Sequence, residues 1–128
     1  MDRKPMPVVY VAGPYRASSR AGVELNIQSA RLTGLHCCLK GWSPVIPHAN
    51  TGGLDEIAPG ITDQFWLDAT LELMRRCDAV VLCPGHLTSR GTTTEVVEAK
   101  RLGIPVYSTI EDLPRAADTG WNLAAAVP

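Results

Sequence analysis

Ala79-Val80-Val81-Leu82-Cys83 is the most apolar run in this 128-residue chain, and its reading decides the fold. Five consecutive apolar residues between Asp78 and Pro84 have the length of a strand and no alternation of polarity. That pattern belongs to a strand buried on both faces, at the centre of a parallel sheet. Its neighbours must come from other short apolar runs, and three are present. Val8-Val9-Tyr10-Val11-Ala12 ends at Gly13-Pro14, Pro44-Val45-Ile46-Pro47 is bracketed by prolines and so suits a sheet edge, and Ile104-Pro105-Val106-Tyr107 lies near the C-terminus.

Helical patterns fill the gaps between these runs. Over residues 21–40, Val23, Ile27, Ala30, Gly34 and Cys38 recur every three or four positions and predict an inward face, stopped at Gly41. Residues 62–76 predict a second helix, with Phe65, Ala69 and Leu73 packing and Trp66 and Met74 beside them. A third starts near Gly91-Thr92 and ends at Gly103, with Val96, Ala99 and Leu102 inward. Residues 48–60, rich in glycine, read as a long loop, and residues 111–117 as a short helix. The alternation predicts one α/β domain over 1–128: a Rossmann-like three-layer sandwich, flavodoxin-like in order, with four to five parallel strands.

Composition narrows the function classes. Hydrophobic residues at 45% and charged residues at 20% mark a globular chain rather than a disordered one. Twelve Lys and Arg against thirteen Asp and Glu give a net charge of −1, which offers no attraction to duplex nucleic acid or an anionic membrane. A small anionic ligand needs only a few local donors and stays open. The apolar run after Arg3 and Lys4 is too short for a secretory signal, and no stretch approaches the roughly 18 apolar residues of a membrane span. A cytoplasmic protein is expected. Cys37, Cys38, Cys77 and Cys83 form no Cys-x-x-Cys pair, so buried thiols are expected rather than a metal site or a disulfide framework.

In open parallel sheets ligands bind beyond the carboxyl ends of the strands, so the loops there hold the candidate chemistry. After the first strand comes Gly13-Pro14-Tyr15-Arg16, where a glycine lets backbone approach a ligand and an arginine offers a forked pair of donors. The plain alternative is a tight turn with an exposed arginine. After the central strand comes Ser89-x-Gly91-Thr92-Thr93-Thr94-Glu95, opening a helix whose free N–H groups favour an anion. Glu95 in that first turn is otherwise explained as a carboxylate stabilised by the helix dipole. A partner acid is sought on the preceding helix, at Asp68 or at Asp63, five residues and about 140° away. Asp78 suits a connector between helix and strand. His48 follows the second strand, close to the first loop, where a lone histidine is most often polar surface.

These segments together resemble the nucleoside 2-deoxyribosyltransferase-like family. The resemblance rests on Val9-Tyr10-Val11-Ala12-Gly13-Pro14-Tyr15-Arg16, Cys77-Asp78-Ala79-Val80-Val81, Ser89-x-Gly91-x-x-x-Glu95-x-x-x-Ala99 and Gly103-Ile104-Pro105-Val106, and spans residues 8–107. The family includes deoxynucleoside 5′-monophosphate N-hydrolases and pyrimidine nucleotide hydrolases. The resemblance implies Glu95 as a nucleophile at the anomeric carbon, Tyr10 holding it, and Asp68 engaging the sugar or the departing base. It implies Gly13, Arg16, Ser89 and Gly91 around a 5′-phosphate and His48 near the base. Pro14 stands where the nucleotide hydrolases carry a serine, and Tyr15 or Ser18 would supply the missing hydroxyl.

The chemistry suits those residues. Breaking an N-glycosidic bond builds positive charge on C1′ and the ring oxygen, which a carboxylate stabilises and can trap covalently. Water as acceptor gives hydrolysis, and a second base gives transfer; neither requires a metal or an organic cofactor. Arg16 and Ser89 favour a nucleoside 5′-monophosphate and hence hydrolysis. The alternatives are deoxyribose transfer between bases and a non-catalytic nucleotide-binding module. Pro84-Gly85 with Gly91-Thr92-x-x-Glu95 also resembles, with wrong glycine spacing, the signature of cytokinin-activating phosphoribohydrolases. A homodimer or higher homo-oligomer is expected, with residues 118–128, through Trp121 and Asn122, reaching a neighbouring subunit.

Overall fold

A computed structural model describes residues 6–85 and 89–120. The elements run β1 (Val8–Ala12), α1 (Arg20–Leu39), β2 (Ser43–Val45), α2 (Pro47–Thr51), α3 (Leu54–Ile57), α4 (Asp63–Arg75), β3 (Ala79–Leu82), α5 (Arg90–Arg101), β4 (Val106–Tyr107) and a 3₁₀ turn (Ala116–Thr119). The four strands form one parallel sheet in the order β2-β1-β3-β4. Val9 pairs with Ala79 and Ala12 with Leu82, so β3 lies alongside β1 in the middle of the sheet. This is the α/β sandwich and strand order that the alternation of apolar runs predicts. Trp121 and Asn122 lie outside the described residues.

Successive side chains of a strand point to opposite faces, and β1 and β3 use both. Val9, Val11, Ala79 and Val81 join Ala30 and Cys37 of α1, Trp42, Leu113 and Ala116 on one side. Tyr10, Ala12, Val80 and Leu82 join Leu71 and Met74 of α4 and Ala99 of α5 on the other. The sheet is therefore covered by α1 on one face and by α4 and α5 on the opposite face. From β1 the chain leaves across α1 to β2, and from β3 it leaves across α5 to β4. The carboxyl ends of β1 and β3 thus flank the point where strand order reverses, and a crevice opens there.

Several local expectations are corrected. The inner face of α1 is Val23, Ala30, Thr33, Gly34 and Cys37, while Cys38 is exposed. A second set of apolar residues on the outside of α1 makes the adjacent cysteines ambiguous from spacing alone. On α4 the buried residues are Leu71 and Met74, and Phe65 points outward. Leu102 caps the end of α5 and is exposed. Residues 48–60 hold two short helices, α2 begun by Pro47 at its first position and α3 entered through Gly53 at φ 84°. The segment expected as a helix over 111–117 instead makes turns tied to the end of α1. Lys40 Nζ donates to the carbonyls of Ile110 (2.6 Å) and Leu113 (2.5 Å), and Trp42 Nε1 donates to that of Pro114 (2.8 Å).

Asp78 is a connector: its Oδ2 accepts from the Val8 N–H at 2.8 Å, stitching the start of β1 to the start of β3. Cys37, Cys77 and Cys83 are buried. Among the described residues no helix is long and apolar enough to cross a membrane, and no group of three His, Cys, Asp or Glu could hold a metal ion.

Gly13 sets how closely β1 and β3 converge at the crevice. A Cβ there would lie 2.6 Å from Cys83 Cβ and 2.8 Å from its Sγ. Gly13→Ala is expected to destabilise the fold by about 1–3 kcal/mol, the usual cost of overpacking, measured by urea unfolding. Adding Cys83→Gly should recover part of that loss. Strict additivity of the two changes would disprove the contact.

Candidate active site

Two periodicities create the centre of the site. The two-residue repeat of β1 sends Tyr10, between inward Val9 and Val11, to the α4–α5 side of the sheet. On α5, Thr92, Glu95 and Ala99 fall at three- and four-residue spacing and form its buried face. The Tyr10 hydroxyl donates to Glu95 Oε2 across the boundary between sheet and helix. Tyr10 is fully buried and Glu95 is 7% exposed.

Burial governs the electrostatics of this pair. Loss of hydration pushes the Glu95 carboxyl up to about 7, and donation from Tyr10 and Thr70 offsets only part of that rise. The Tyr10 phenol is driven far upward, first by burial and then by the neighbouring carboxylate, so it remains a hydrogen-bond donor. The result is a carboxylate that is scarcely hydrated, held by one aromatic hydroxyl, and ready to change charge near neutral pH.

A pocket of about 500 Å³ opens over the pair, well within the size range of small-molecule sites. The loop after β1, the α2–α3 segment, α4 and the first turn of α5 supply its walls. Tyr10, Gly13, Pro14, Tyr15, Arg16, His48, Asp63, Ser89, Gly91 and Glu95 all line it. Asp68 does not: it is exposed on α4 and accepts a 2.8 Å hydrogen bond from Gln64. The α4 face turned to the pocket carries Asp63, Trp66, Leu67 and Thr70 instead. Of the two acids weighed on this helix, Asp63 is the one at the pocket.

Several of these residues have structural partners. Arg16 reaches Asp55 Oδ2 and Asp63 Oδ1, each at 2.7 Å, and lies over the Tyr15 ring. Tyr15 donates to Asp55 Oδ1 (3.2 Å) and accepts from the Gly53 N–H (3.0 Å). The loop after β1 is thereby tied across the pocket mouth to α3 and α4. These two ion pairs use two of the five N–H donors of Arg16 and offset its charge, which weakens but does not prevent donation to an anionic ligand.

His48 Nε2 faces the carbonyls of Gly13 (3.0 Å) and Pro14 (2.9 Å), which requires that nitrogen to carry the hydrogen. Its Nδ1 is buried with no hydrogen-bond partner among the described residues, and burial pulls its pKa down, which favours the neutral ring. His48 braces the loop after β1. Ser89 is the N-cap of α5, its Oγ accepting from the Thr92 N–H at 3.1 Å. A Cβ on Gly91 would meet nothing within 4 Å, so its backbone borders open pocket.

Thr92 and Thr94 of the segment read as opening the third helix line the pocket too, and Asp55, Trp66, Thr70 and Arg90 join them without having been anticipated. Trp66 Nε1 and Thr92 Oγ1 are buried there with no hydrogen-bond partner among the described residues. Thr70 was legible, since 63, 66/67 and 70 repeat at helical spacing, whereas Asp55 lay in a stretch read as loop.

The raised Glu95 pKa has a consequence for stability. In an unfolded chain the group titrates near 4.5, so between about 4.5 and 7 the folded state binds the extra proton. Stability is favoured below pH 4.5, declines as pH rises through about 7, and is then lower by on the order of 3 kcal/mol. Glu95→Gln removes this penalty. The variant is expected to melt higher than the parent at pH 8 and to match it near pH 4, by calorimetry. An equal difference at both values would contradict the assignment.

No curated protein matches the sequence. Over residues 7–109, a span holding all four strands and the Tyr10–Glu95 pair, the sequence matches the family described as Domain of unknown function (DUF7768), and the chain belongs to that family.

Proposed function

We propose that this protein hydrolyses the N-glycosidic bond of a nucleoside 5′-monophosphate, releasing the free base and a sugar phosphate, with Glu95 as nucleophile. The observation that carries the proposal is a buried carboxylate, braced by a buried phenol, at a pocket large enough for such a substrate. The Glu95 carboxylate attacks C1′ as the C1′–N bond breaks, and the electron pair leaves with the base, which takes a proton from water. Water then adds at C1′ and releases Glu95. Poor hydration strengthens the attraction between Glu95 and the positive charge developing on the sugar ring. The resemblance to the nucleoside 2-deoxyribosyltransferase-like family supports the same roles for Tyr10 and Glu95.

The phosphate would sit at the start of α5, where Ser89 and Gly91 border the pocket and Arg90 lines it. Arg16 joins with a charge already offset by Asp55 and Asp63. That double engagement favours a second reading: a substrate without phosphate, and transfer of deoxyribose from one base to another.

Incubation with ribo- and deoxyribonucleosides and their 5′-monophosphates, with released base followed by chromatography, tests both readings. Base released from monophosphates in water alone is expected. Turnover of free nucleosides only with an added acceptor base would establish transfer instead. Glu95→Gln should lose on the order of 10³-fold in kcat. Because the nucleophile must be ionised, kcat/KM is expected to climb with pH through about 7. Tyr10→Phe removes a donor to the carboxylate and should move that limb upward. A profile flat from acid to alkaline pH would remove Glu95 from the mechanism, and no turnover of any substrate would favour a binding module.

A further inference from the structure

Among the described residues three buried side-chain polar atoms have no hydrogen-bond partner: Trp66 Nε1, Thr92 Oγ1 and His48 Nδ1. All three residues line the same pocket. Folds rarely leave such groups unpaired, and each is costly where it occurs. Their chemistry is complementary. The indole N–H of Trp66 only donates, the Thr92 hydroxyl donates or accepts, and His48 Nδ1 accepts, because Nε2 carries the hydrogen. Trp66 lies one helical turn before Thr70 on α4, and Thr92 lies one turn before Glu95 on α5. Both therefore stand in the wall beside the Glu95 carboxylate, and Thr92 is only 1% exposed.

We propose that Trp66 and Thr92 are specificity-determining residues that hold a neutral oxygen of the ligand next to Glu95, either the sugar 2′-hydroxyl or a base carbonyl. The inference rests on reading the pocket as a nucleotide site. One neutral oxygen accepts from the indole N–H and from the Thr92 hydroxyl together. A phosphate oxygen does not suit this place, because the neighbouring carboxylate repels it. His48 Nδ1 adds an acceptor across the pocket, which again favours a neutral ligand group over an anion. In the empty pocket the Trp66 and Thr92 atoms are shielded even from water, so the two side chains turn toward the ligand as it enters. A ligand without that oxygen leaves both groups unpaired and is rejected.

Calorimetric binding of uridine, 2′-deoxyuridine and adenosine 5′-monophosphates to the full chain carrying Glu95→Gln, so that no nucleotide is consumed, tests the proposal. Thr92→Val and Trp66→Phe are each expected to raise the dissociation constant at least tenfold, whereas Thr92→Ser keeps the hydroxyl and should bind like its parent. Loss confined to the two ribonucleotides assigns the oxygen to the 2′-hydroxyl, and loss confined to the two uracil nucleotides assigns it to a base carbonyl. Without ligand, Thr92→Val should melt no lower than the parent, since it removes an unpaired hydroxyl. A clear fall in melting temperature would show that hydroxyl already paired within the fold and would overturn the proposal. So would unchanged binding in both variants, equal loss for all three nucleotides, or a parent that binds none of them. The outcome is separable from the proposed reaction: weakened binding in a protein that turns over no nucleotide sustains this inference alone, and unchanged binding in one that does sustains only the reaction.

Discussion

The hydrogen bond from Tyr10 to Glu95 is the constraint on which the site depends. It joins the central sheet to the first turns of α5, and both residues are buried. A carboxylate removed from water is costly, and one phenolic hydroxyl with help from Thr70 does not restore what hydration supplied. The balance leaves Glu95 near the middle of its titration at neutral pH. The presence of an ionisable group there is the strongest reason to regard the crevice as chemical rather than merely concave.

Around that pair most of the polar residues hold the scaffold. Ser89 caps α5, His48 braces the turn after β1, and Asp78 ties the beginnings of the two central strands. Gly13 lets those strands converge where the pocket begins. Such residues are structural and still set the chemistry, because each fixes a wall of the pocket. The Arg16 cluster differs, since its partners are two carboxylates that a bound anion could displace. It couples the loop after β1 to α3 and α4, and any ligand that competes for Arg16 loosens that connection.

The layered fold was readable because β1 and β3 are continuous apolar runs, which only a sheet covered on both faces accommodates. Glu95 was readable from its place after the central strand, whereas Tyr10 as its partner came only from the family resemblance. Asp68 and Asp63 were both weighed, and apolar spacing does not choose between them when Leu67, Leu71, Leu73 and Met74 crowd α4; only Asp63 lines the pocket. The face of α1 was blurred for a similar reason, with leucines along its outer side. The α2–α3 segment was lost among glycines and prolines, and Asp55 with it. Tertiary contacts, not local pattern, decide what Arg16 touches, and no spacing rule connects residue 16 to residues 55 and 63.

The central claim is that Glu95 is a desolvated carboxylate held by Tyr10. Titration of the protein labelled with ¹³C at glutamate side-chain carboxyls, with Glu95 assigned through Glu95→Gln, measures this directly by NMR. A midpoint near 7 is expected for Glu95, well above the exposed glutamates, with a further rise in Tyr10→Phe. A midpoint near 4.5 that does not respond to Tyr10→Phe would contradict the account.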